Sequence, residues 1–332
     1  MNDFSYLLND YFTDYLTNKK GVSNNTLKTY RDCFVYLIQF LDEVKKIKPS
    51  KITISTFNFD LINEFLDYLE TNKGVSASTR NNRLAAIKSF FKYVGYRMPE
   101  YLNIVSTIRG IPKKSYSQKE INYLTIEATK HLLNSFNLNS KKEYRCFSII
   151  LLLYESGARV SELINIKKRD IRLDKPYTLV LFGKGNKYRR IPIDPTVIEV
   201  IKKYIELYNV KNDEYLFFNS RREKLTREGV NSILNKYFLK AKNKNSSLYP
   251  DHISVHCLRH SKAMHLLENG VNLIYIRDLL GHTSVTTTEI YSKANPEIKR
   301  KHIEEVSKLQ NINLNYSKKQ KDELLDWLKN NI

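Results

Sequence analysis

An arginine occupies an unusual position near the middle of the chain. Residues 157–163 read GARVSEL, in which a glycine that can end one helix is followed by the start of another. A cation is unfavourable there, because a helix dipole places partial positive charge at the N-terminus. Arg159 is therefore expected either to pair with Glu162 one turn later or to meet a bound anion.

A basic hairpin follows. Residues 177–182 and 188–193 are rich in β-formers and flank the sequence GKGNK at 183–187. This glycine-containing tip lacks the GK[ST] ending and following helix of a P-loop, and it does not have the GxGxxG spacing. The pattern predicts a hairpin whose tip carries Lys184 and Lys187.

Histidines, an arginine and a tyrosine come next. His256, Arg259 and His260 have the i, i+3, i+4 spacing of one helical face. His282 follows a glycine after an apolar helix, and Tyr291 lies nine residues later. The two histidines of the helix lack an HExxH glutamate and a third ligand, so no metal site is predicted. Taken singly, His282 is explained by a helix C-cap and Tyr291 by packing.

In this order, the motifs resemble those of the tyrosine recombinase (phage integrase) family, closest in layout to its Xer-like members. The match of the catalytic motifs covers about residues 141–292. The resemblance extends more loosely over residues 1–112, where residues 76–93 resemble the pattern of the family's core-binding domain. Two departures, Ala158 before the arginine and Cys257 within HCLRH, do not affect the implied chemistry.

The resemblance implies a site-specific recombinase that cuts and rejoins DNA. Tyr291 would form a 3′-phosphotyrosyl intermediate, and strand exchange would pass through a Holliday junction. Guanidinium groups suit a phosphate that gains charge in the transition state, and Arg159 and Arg259 are the implied pair. A phenol with a pKa of about 10 must lose its proton to react, and His256 is the implied acceptor or hydrogen-bond partner. Because the link conserves the bond energy, no metal, ATP or other cofactor is expected.

The remaining roles are also taken from the resemblance. The family alignment selects Lys184 over Lys187 as the donor of a proton to the leaving 5′ oxygen. His282 would complete the cage around the phosphate. Glu162 would orient the arginine and histidine, and His260 is expected as a second supporting residue.

Composition and charge agree with a polyanion-binding protein. The 332 residues include 55 basic and 35 acidic ones, a net charge of +20, with a pI near 9.6. Such a field attracts DNA, RNA or anionic lipid, although an AT-rich genome would also raise the lysine content. The three cysteines are too few for a disulfide framework. With no secretory signal and no run of about 20 apolar residues, a cytoplasmic, bacterial nucleoid-associated protein is expected.

The elements that position these residues are predicted to be mainly helical with a small β-hairpin, an α+β fold. Residues 1–112 form a helical core-binding, SAM-like domain, 113–120 a linker, and 121–332 the catalytic domain. Apolar stripes at helical spacing begin at Leu27, Leu61 and Leu84, and Gly95 is expected to end the third.

The third of these helices is strongly basic. No acidic residue lies between Glu70 and Glu100. The helix is either a solvated basic face or one laid against DNA phosphates. Four cations of this helix are candidate DNA contacts: Arg80, Arg83, Lys88 and Lys92. Lys187 of the hairpin is a fifth candidate.

The end of the chain suggests an assembly. Residues 318–332 place Leu324, Leu325, Leu328 and Ile332 on one face of a short helix, which needs a docking surface because it is marginal alone. It either folds back on its own domain or, as in the family, passes to a neighbour. The expected partners are double-stranded DNA with inverted-repeat core sites and three further copies of the chain, in a homotetramer that exchanges this helix. No membrane is expected as a partner.

Two other functions are compatible with parts of this pattern. A type IB topoisomerase-like nicking enzyme uses the same cleavage chemistry, but a separate core-binding domain and a long C-terminal tail argue against it. A catalytically silent DNA-binding protein would not need every catalytic position filled. With no arm-binding domain expected, the resemblance favours a simple-site recombinase that integrates, excises or resolves a mobile element or replicon.

Overall fold

The computed structural model describes residues 3–117, 121–183, 188–282 and 288–291, with isolated positions at 284, 300, 322, 323, 326, 327 and 330. The chain divides into two compact units, Met1–Lys119 and Glu120–Ile332. Within these described stretches, every helix is too short or too polar to cross a lipid bilayer.

The first unit is helical over its described residues, as predicted. Side-chain oxygens of Ser23, Asn58 and Ser76 accept hydrogen bonds from first-turn N–H groups and so begin three of the helices. A π-helical segment, Tyr11–Lys19, continues the first helix. The α-helices are α1 (Asp3–Asp10), α2 (Asn24–Glu43), α3 (Phe59–Thr71), α4 (Ala77–Arg97) and α5 (Leu102–Gly110).

Helix α4 is the central helix of this unit, because residues around most of its circumference are buried. Its Phe90 ring lies 5.2–5.8 Å, between centroids, from the rings of Phe4, Tyr11 and Phe34, which come from α1, the π-helical segment and α2. Edge-to-face aromatic contacts of this kind add to the free energy gained by burying apolar surface. The apolar stripes predicted from the sequence form this core.

Gly95 lies inside α4, so the prediction that this glycine ends the helix is wrong. A Cβ atom at Gly95 would lie 3.3 Å from Cγ1 of Val105 in α5, and the missing side chain therefore allows the two helices to approach closely. The helix ends instead at Arg97, since Met98 precedes Pro99 and leaves the helical conformation.

Residues 111–116 are held along α4. The side-chain amide of Asn81 forms two hydrogen bonds, of 2.8 and 3.0 Å, with the backbone of Lys114. The Lys114 ammonium lies 2.9 Å from the Glu70 carboxylate, and Lys88 donates to a backbone carbonyl of the segment. Although its composition is that of a linker, this stretch is therefore fastened to the first unit.

The second unit combines helices with one small sheet. Its helices are α6 (Ile126–Leu133), α7 (Lys141–Ser156), α8 (Val160–Leu163), α9 (Pro195–Tyr208), α10 (Arg227–Lys242), α11 (Val255–Glu268) and α12 (Leu273–Leu280). Its strands are β1 (Ile171–Arg172), β2 (Thr178–Phe182) and β3 (Tyr188–Pro192). The sheet is antiparallel in the order β1-β2-β3, and β2 and β3 are the predicted hairpin.

Alternation along the hairpin separates a buried face from an exposed one. Leu179 pairs with Ile191 and Leu181 with Arg189, and the three aliphatic residues are buried against the main core. That core is built around α7, whose apolar run 149–153 is buried. The three cysteines are buried and free.

Candidate active site

Arg159 is positioned by the turn that ends α7. Gly157 has φ +56°, a left-handed conformation that residues with a Cβ rarely adopt. An added Cβ would also lie 3.0 Å from Cδ2 of Leu280, so the close packing of α7 against the end of α12 requires glycine as well. Arg159 then takes the N-cap position of α8 with its side chain 34% exposed.

The Glu162 carboxylate holds Arg159 from one side. Its Oε2 accepts from the backbone N–H of Arg159 at 2.7 Å, and its Oε1 accepts from Nη1 at 3.0 Å. Burial alone would raise the pKa of Glu162, but hydrogen bonds from Arg189 and from the Arg159 backbone outweigh burial and hold it below its ordinary value. The structure brings the ionised Glu162 to the arginine, and among the described residues it makes no hydrogen bond to a histidine.

Arg189 is a site residue that the sequence analysis missed. Its Nη1 and Nη2 donate to the two Glu162 oxygens at 2.9 and 2.8 Å, and its Nε donates to the Leu279 carbonyl at 2.8 Å. One signal was available, because strand alternation places Arg189 on the same face as the buried Ile191. A cation on a core-facing strand position requires a partner.

Arg259 is the buried arginine of the site. Its guanidinium donates to the carbonyls of Gly157 and Leu280, each at 2.6 Å, and the residue is 4% exposed. Burial and the charge of Arg159 lower its pKa to about 10, so it remains cationic at pH 7. These bonds fix the guanidinium between the ends of α7 and α12.

His282 follows directly on a required glycine. Gly281 ends α12 with φ +64°, and an added Cβ would lie 2.9 Å from Nη1 of Arg189. The His282 Nδ1 lies 3.0 Å from Oγ1 of Thr288. Burial, and then the charges of nearby arginines, Arg259 first, lower the pKa of His282 to about 4. The imidazole is therefore neutral at pH 7.

The Tyr291 phenol is hydrogen-bonded to His260, whereas the sequence analysis chose His256. Its Oη lies 2.9 Å from Nδ1 of His260, and Tyr291 is 1% exposed. Burial raises the pKa of Tyr291 against the opposing pull of Arg259 and a second arginine, so the phenol is protonated at pH 7. Burial and His256 lower the pKa of His260 to about 4.

His256 is exposed at the rim of the site. Partial burial, followed by the charges of Arg259, Arg159 and Arg227, lowers its pKa. Because His256 and His260 are one turn apart on α11, the spacing gave them a common face but could not show which one lies deeper. The deeper one contacts the tyrosine.

Both hairpin lysines, Lys184 and Lys187, lie outside the described residues, as does most of the tail at 318–332. The two strands on either side of them end with Phe182 paired to Tyr188.

The basic helix α4 presents fewer cations than its sequence indicates. Arg80 is 7% exposed and lies 3.3 Å from the Glu70 carboxylate, while Arg83 donates to a backbone carbonyl of α2 at 2.9 Å. Lys88 bonds to residues 111–116, as described above. Of the four candidate contacts, Lys92 is the one with an exposed side chain.

The arrangement places two guanidiniums close enough to a phenol for their charges to act on its pKa. Arg159, Arg259 and the neutral imidazoles of His256 and His282 carry N–H groups that can donate hydrogen bonds to an anion. A phenol such as that of Tyr291 can act as a nucleophile once it loses its proton. Within the described part of the chain, no cluster of His, Cys, Asp and Glu could hold a metal ion.

The stability of the protein is expected to fall between pH 7 and pH 4 through His260 and His282. Folding lowers both pKa values to about 4 from 6.5. Because the folded state keeps both rings neutral, their stabilising contribution is complete above pH 6.5 and is lost progressively as the pH falls towards 4. Circular-dichroism melts should show a Tm that falls less steeply from pH 7 to 5 in H260Q/H282Q than in the wild type. His252→Gln, at an exposed histidine, is the control, and equal slopes for all three proteins would contradict the prediction.

Comparisons with known proteins show the family to which the chain belongs. The sequence model of the phage integrase family matches residues 122–297, and that of the phage integrase N-terminal SAM-like domain matches residues 10–96. A putative integrase/recombinase, y4rC, from Sinorhizobium fredii is 32% identical over 88% of both chains. The tyrosine recombinase XerD of Staphylococcus epidermidis is 33% identical over 87% of this chain and 95% of its own.

Solved structures share the fold. The XerH site-specific recombinase, in a post-cleavage complex with its palindromic difH substrate, superposes with a TM-score of 0.68 at 25% identity, over 85% of this chain and 79% of its own. The Tn1549 transposon integrase, bound to transposon right-end DNA, has the same TM-score at 17% identity over 90% of this chain and 98% of its own, a likeness of fold alone.

Proposed function

Because the chain belongs to the phage integrase family, we infer that it is a tyrosine site-specific recombinase, an enzyme that cleaves and rejoins DNA. The observation that carries the inference is the Tyr291 phenol, held by His260 and acted on by the charges of Arg259 and Arg159. The net charge of +20 suits a DNA partner. The XerH relative was solved on its DNA substrate.

The scissile phosphate is proposed to bind between Arg159 and Arg259. Each guanidinium can donate to a non-bridging oxygen, and both remain charged while the phosphorus gains negative charge. The neutral rings of His256 and His282 add hydrogen bonds without adding a charge that would have to be lost. Because the bonds to Gly157 and Leu280 already orient Arg259, little reorganisation is needed during the reaction.

The reaction is a transesterification. Oη of Tyr291 forms a bond to phosphorus as the bond from phosphorus to the 5′ oxygen breaks, leaving a 3′-phosphotyrosyl link. The phenol proton passes to a histidine, and the 5′ oxygen takes a proton from Lys184 of the hairpin. Attack by the 5′ hydroxyl of another strand reverses these steps, so phosphodiester bonds are exchanged and none is lost. Two rounds of exchange pass through a Holliday junction.

The bound phosphate is proposed to restore the basicity of the histidines. In the protein alone, burial is the largest cause of the low pKa of His260. An anion placed between the arginines offsets the charge of Arg259, which is one cause of the low pKa of His260, and so raises the pKa of His260. His260, which already contacts the phenol, is then the proton acceptor, and His256 at the rim is left for a phosphate oxygen.

A covalent-trapping experiment tests the function. The protein is incubated with nicked duplexes carrying the inverted repeats found beside its gene, in which the cleaved strand loses the short fragment needed for rejoining. An SDS-resistant protein–DNA adduct is expected with these repeats and not with scrambled ones. If no adduct forms with any flanking repeat, the proposed function is wrong.

Exposed lysines outside the active site are proposed to contact the DNA backbone, and the DNA substrate suggests the cellular location. Lys92 on α4 and Lys187 on the hairpin would contact phosphates of the inverted-repeat sites, whereas Arg80 serves the interior of its unit. An enzyme whose substrate is double-stranded DNA would be found at the bacterial nucleoid. There it would integrate, excise or resolve a mobile element or replicon.

Four copies are proposed to act together, linked by the tail at 318–332. Its described positions, Asp322, Glu323, Asp326, Trp327 and Asn330, are helical and exposed, and four of the five are polar. A helix with one apolar face needs a docking surface, and a neighbouring copy supplies one. Such an exchange would let one protomer signal to the next.

Deleting residues 318–332 is expected to abolish strand exchange while leaving half-site binding within about 3-fold of the wild type, because few DNA-contacting cations are lost. Binding is measured by gel shift on a single half-site, and exchange on paired full sites. The control is L324D/L328D, which keeps the length of the chain but spoils the stripe and should behave like the deletion. Full-length rates from either protein would rule out docking on a neighbour.

A further inference from the structure

One carboxylate holds two arginines in this site. Glu162 is 4% exposed, and its oxygens accept from Nη1 of Arg159 and from both terminal nitrogens of Arg189, at 2.8 to 3.0 Å. Arg189 meets it as a two-pronged fork, the geometry in which a guanidinium binds a carboxylate most strongly. Arg159 meets it through one terminal nitrogen and remains more exposed than Arg189, 34% against 14%.

The charges of the three groups explain why a second arginine is needed. A buried Glu162 paired with Arg159 alone would be a neutral pair. The opposite charges would then largely cancel at a bound phosphate, and the pair would attract it only weakly. With Arg189 present, the three groups carry a net charge of +1. We propose that Arg189 is a positioning residue that compensates the charge of Glu162, so that the carboxylate can orient Arg159 without weakening its attraction for the scissile phosphate.

A second contact extends the role of Arg189 to the other side of the phosphate. Its Nε donates to the carbonyl of Leu279, and its guanidinium occupies the space that a side chain at Gly281 would fill. The adjacent Leu280 carbonyl accepts from Arg259. Arg189 therefore braces the segment that leads to His282, and it does so from the buried face of β3, without needing to touch the substrate itself.

This inference rests on the proposed function, and its test separates the two. Single-turnover cleavage of the nicked substrate is measured for wild type, R189Q, E162Q and the double variant E162Q/R189Q. R189Q leaves Glu162 to neutralise Arg159 and should slow cleavage about 100-fold, the range seen when one transition-state-stabilising donor is removed. Half-site binding should change by less than about 3-fold, because Arg189 is proposed to act through Glu162 and not on a phosphate.

The double variant is the decisive comparison. Removing the carboxylate together with Arg189 restores the net charge of +1, so E162Q/R189Q should cleave at least about 10-fold faster than R189Q. A residue that only stabilised the fold would make the double variant as slow as R189Q or slower, and that result would overturn the proposal. R189K, which keeps the charge but loses the fork, should fall between wild type and R189Q.

A substrate that is neutral at the scissile position separates an effect of charge from an effect of protein stability. A methylphosphonate at the scissile position lacks the charge that Arg159 attracts, so the ratio of wild-type to R189Q rates should shrink to less than about 5-fold. A ratio that stays near 100-fold would contradict the charge argument. If R189Q does not fold, the rates of R189K and of the double variant on the charged and the methylphosphonate substrates are compared with those of the wild type instead.

Arg190 provides the matched control. It is the next residue of β3, points to the opposite, exposed face, and pairs across the strands with Val180. R190Q removes the same charge from the same strand and should cleave within about 3-fold of the wild type, because an exposed charge is screened by water and salt. If wild type forms no adduct, the proposed function fails. If wild type forms the adduct and R189Q equals it, only the role of Arg189 fails.

Discussion

Tyr291→Phe is expected to bind its DNA site with wild-type affinity and to form no covalent adduct. The substitution removes the one oxygen proposed to attack phosphorus, and cleavage should fall by more than about 10⁴-fold, as it does when other enzymes lose their nucleophile. The change is otherwise small, because the ring keeps its buried place and only the hydrogen bond to His260 is lost. Adducts on the nicked substrate are counted after SDS electrophoresis, and binding is measured by gel shift.

Tyr275 supplies the control for this experiment. It is 70% exposed on α12, and Tyr275→Phe should leave the yield of adduct unchanged. An SDS-resistant adduct formed by the Tyr291→Phe protein would assign the nucleophile to another of the 23 tyrosines.

Lys184→Ala is expected to slow cleavage by about 10²–10⁴-fold, the usual contribution of a general acid. A substrate with sulfur at the 5′ bridging position should restore most of the rate, because a thiolate leaves without first taking a proton. Lys187→Ala, which lies in the same hairpin tip, should cleave the ordinary substrate within about 10-fold of the wild type if it only contacts a phosphate. Single-turnover rates on the two substrates measure the rescue. Rescue of Lys187→Ala alone would move the role of acid to Lys187.

The elements of the fold were predictable where sequence periodicity decided them. The apolar stripes of α2, α3 and α4 and the alternation in β2 and β3 each reflect one buried face, which a single chain reveals directly. Gly95 was misread because a helical glycine has two uses, ending a helix or allowing another to approach. Local sequence does not show that Val105 lies above it.

The site was predictable in its residue types more than in its contacts. The pairing of Arg159 with Glu162 follows from their spacing on one helix turn, and the structure contains it. The histidine that contacts Tyr291 could not be predicted from the sequence. His256 and His260 lie one turn apart on the same helical face, and the spacing does not show which of them is more deeply buried. Arg189 is 27 residues from Glu162, and a contact between a strand and a helix leaves no local spacing to read.

Charge in the sequence proved a poor guide to charge at the surface. Arg80 belongs to an acid-free stretch, yet it is buried beside the Glu70 carboxylate, which lies just outside that stretch. A count along the chain misses a partner contributed by another helix.

The burial of Tyr291 has a consequence for fidelity. The residue proposed as the nucleophile is 1% exposed, so we expect cleavage to include the free energy of bringing its phenol out of the packed interior to phosphorus. Only DNA that makes enough remote contacts can supply that free energy. An incomplete site would then be bound but seldom cut, and discrimination between sites would be greater in kcat than in affinity. The enzyme could scan a chromosome without leaving broken strands behind it.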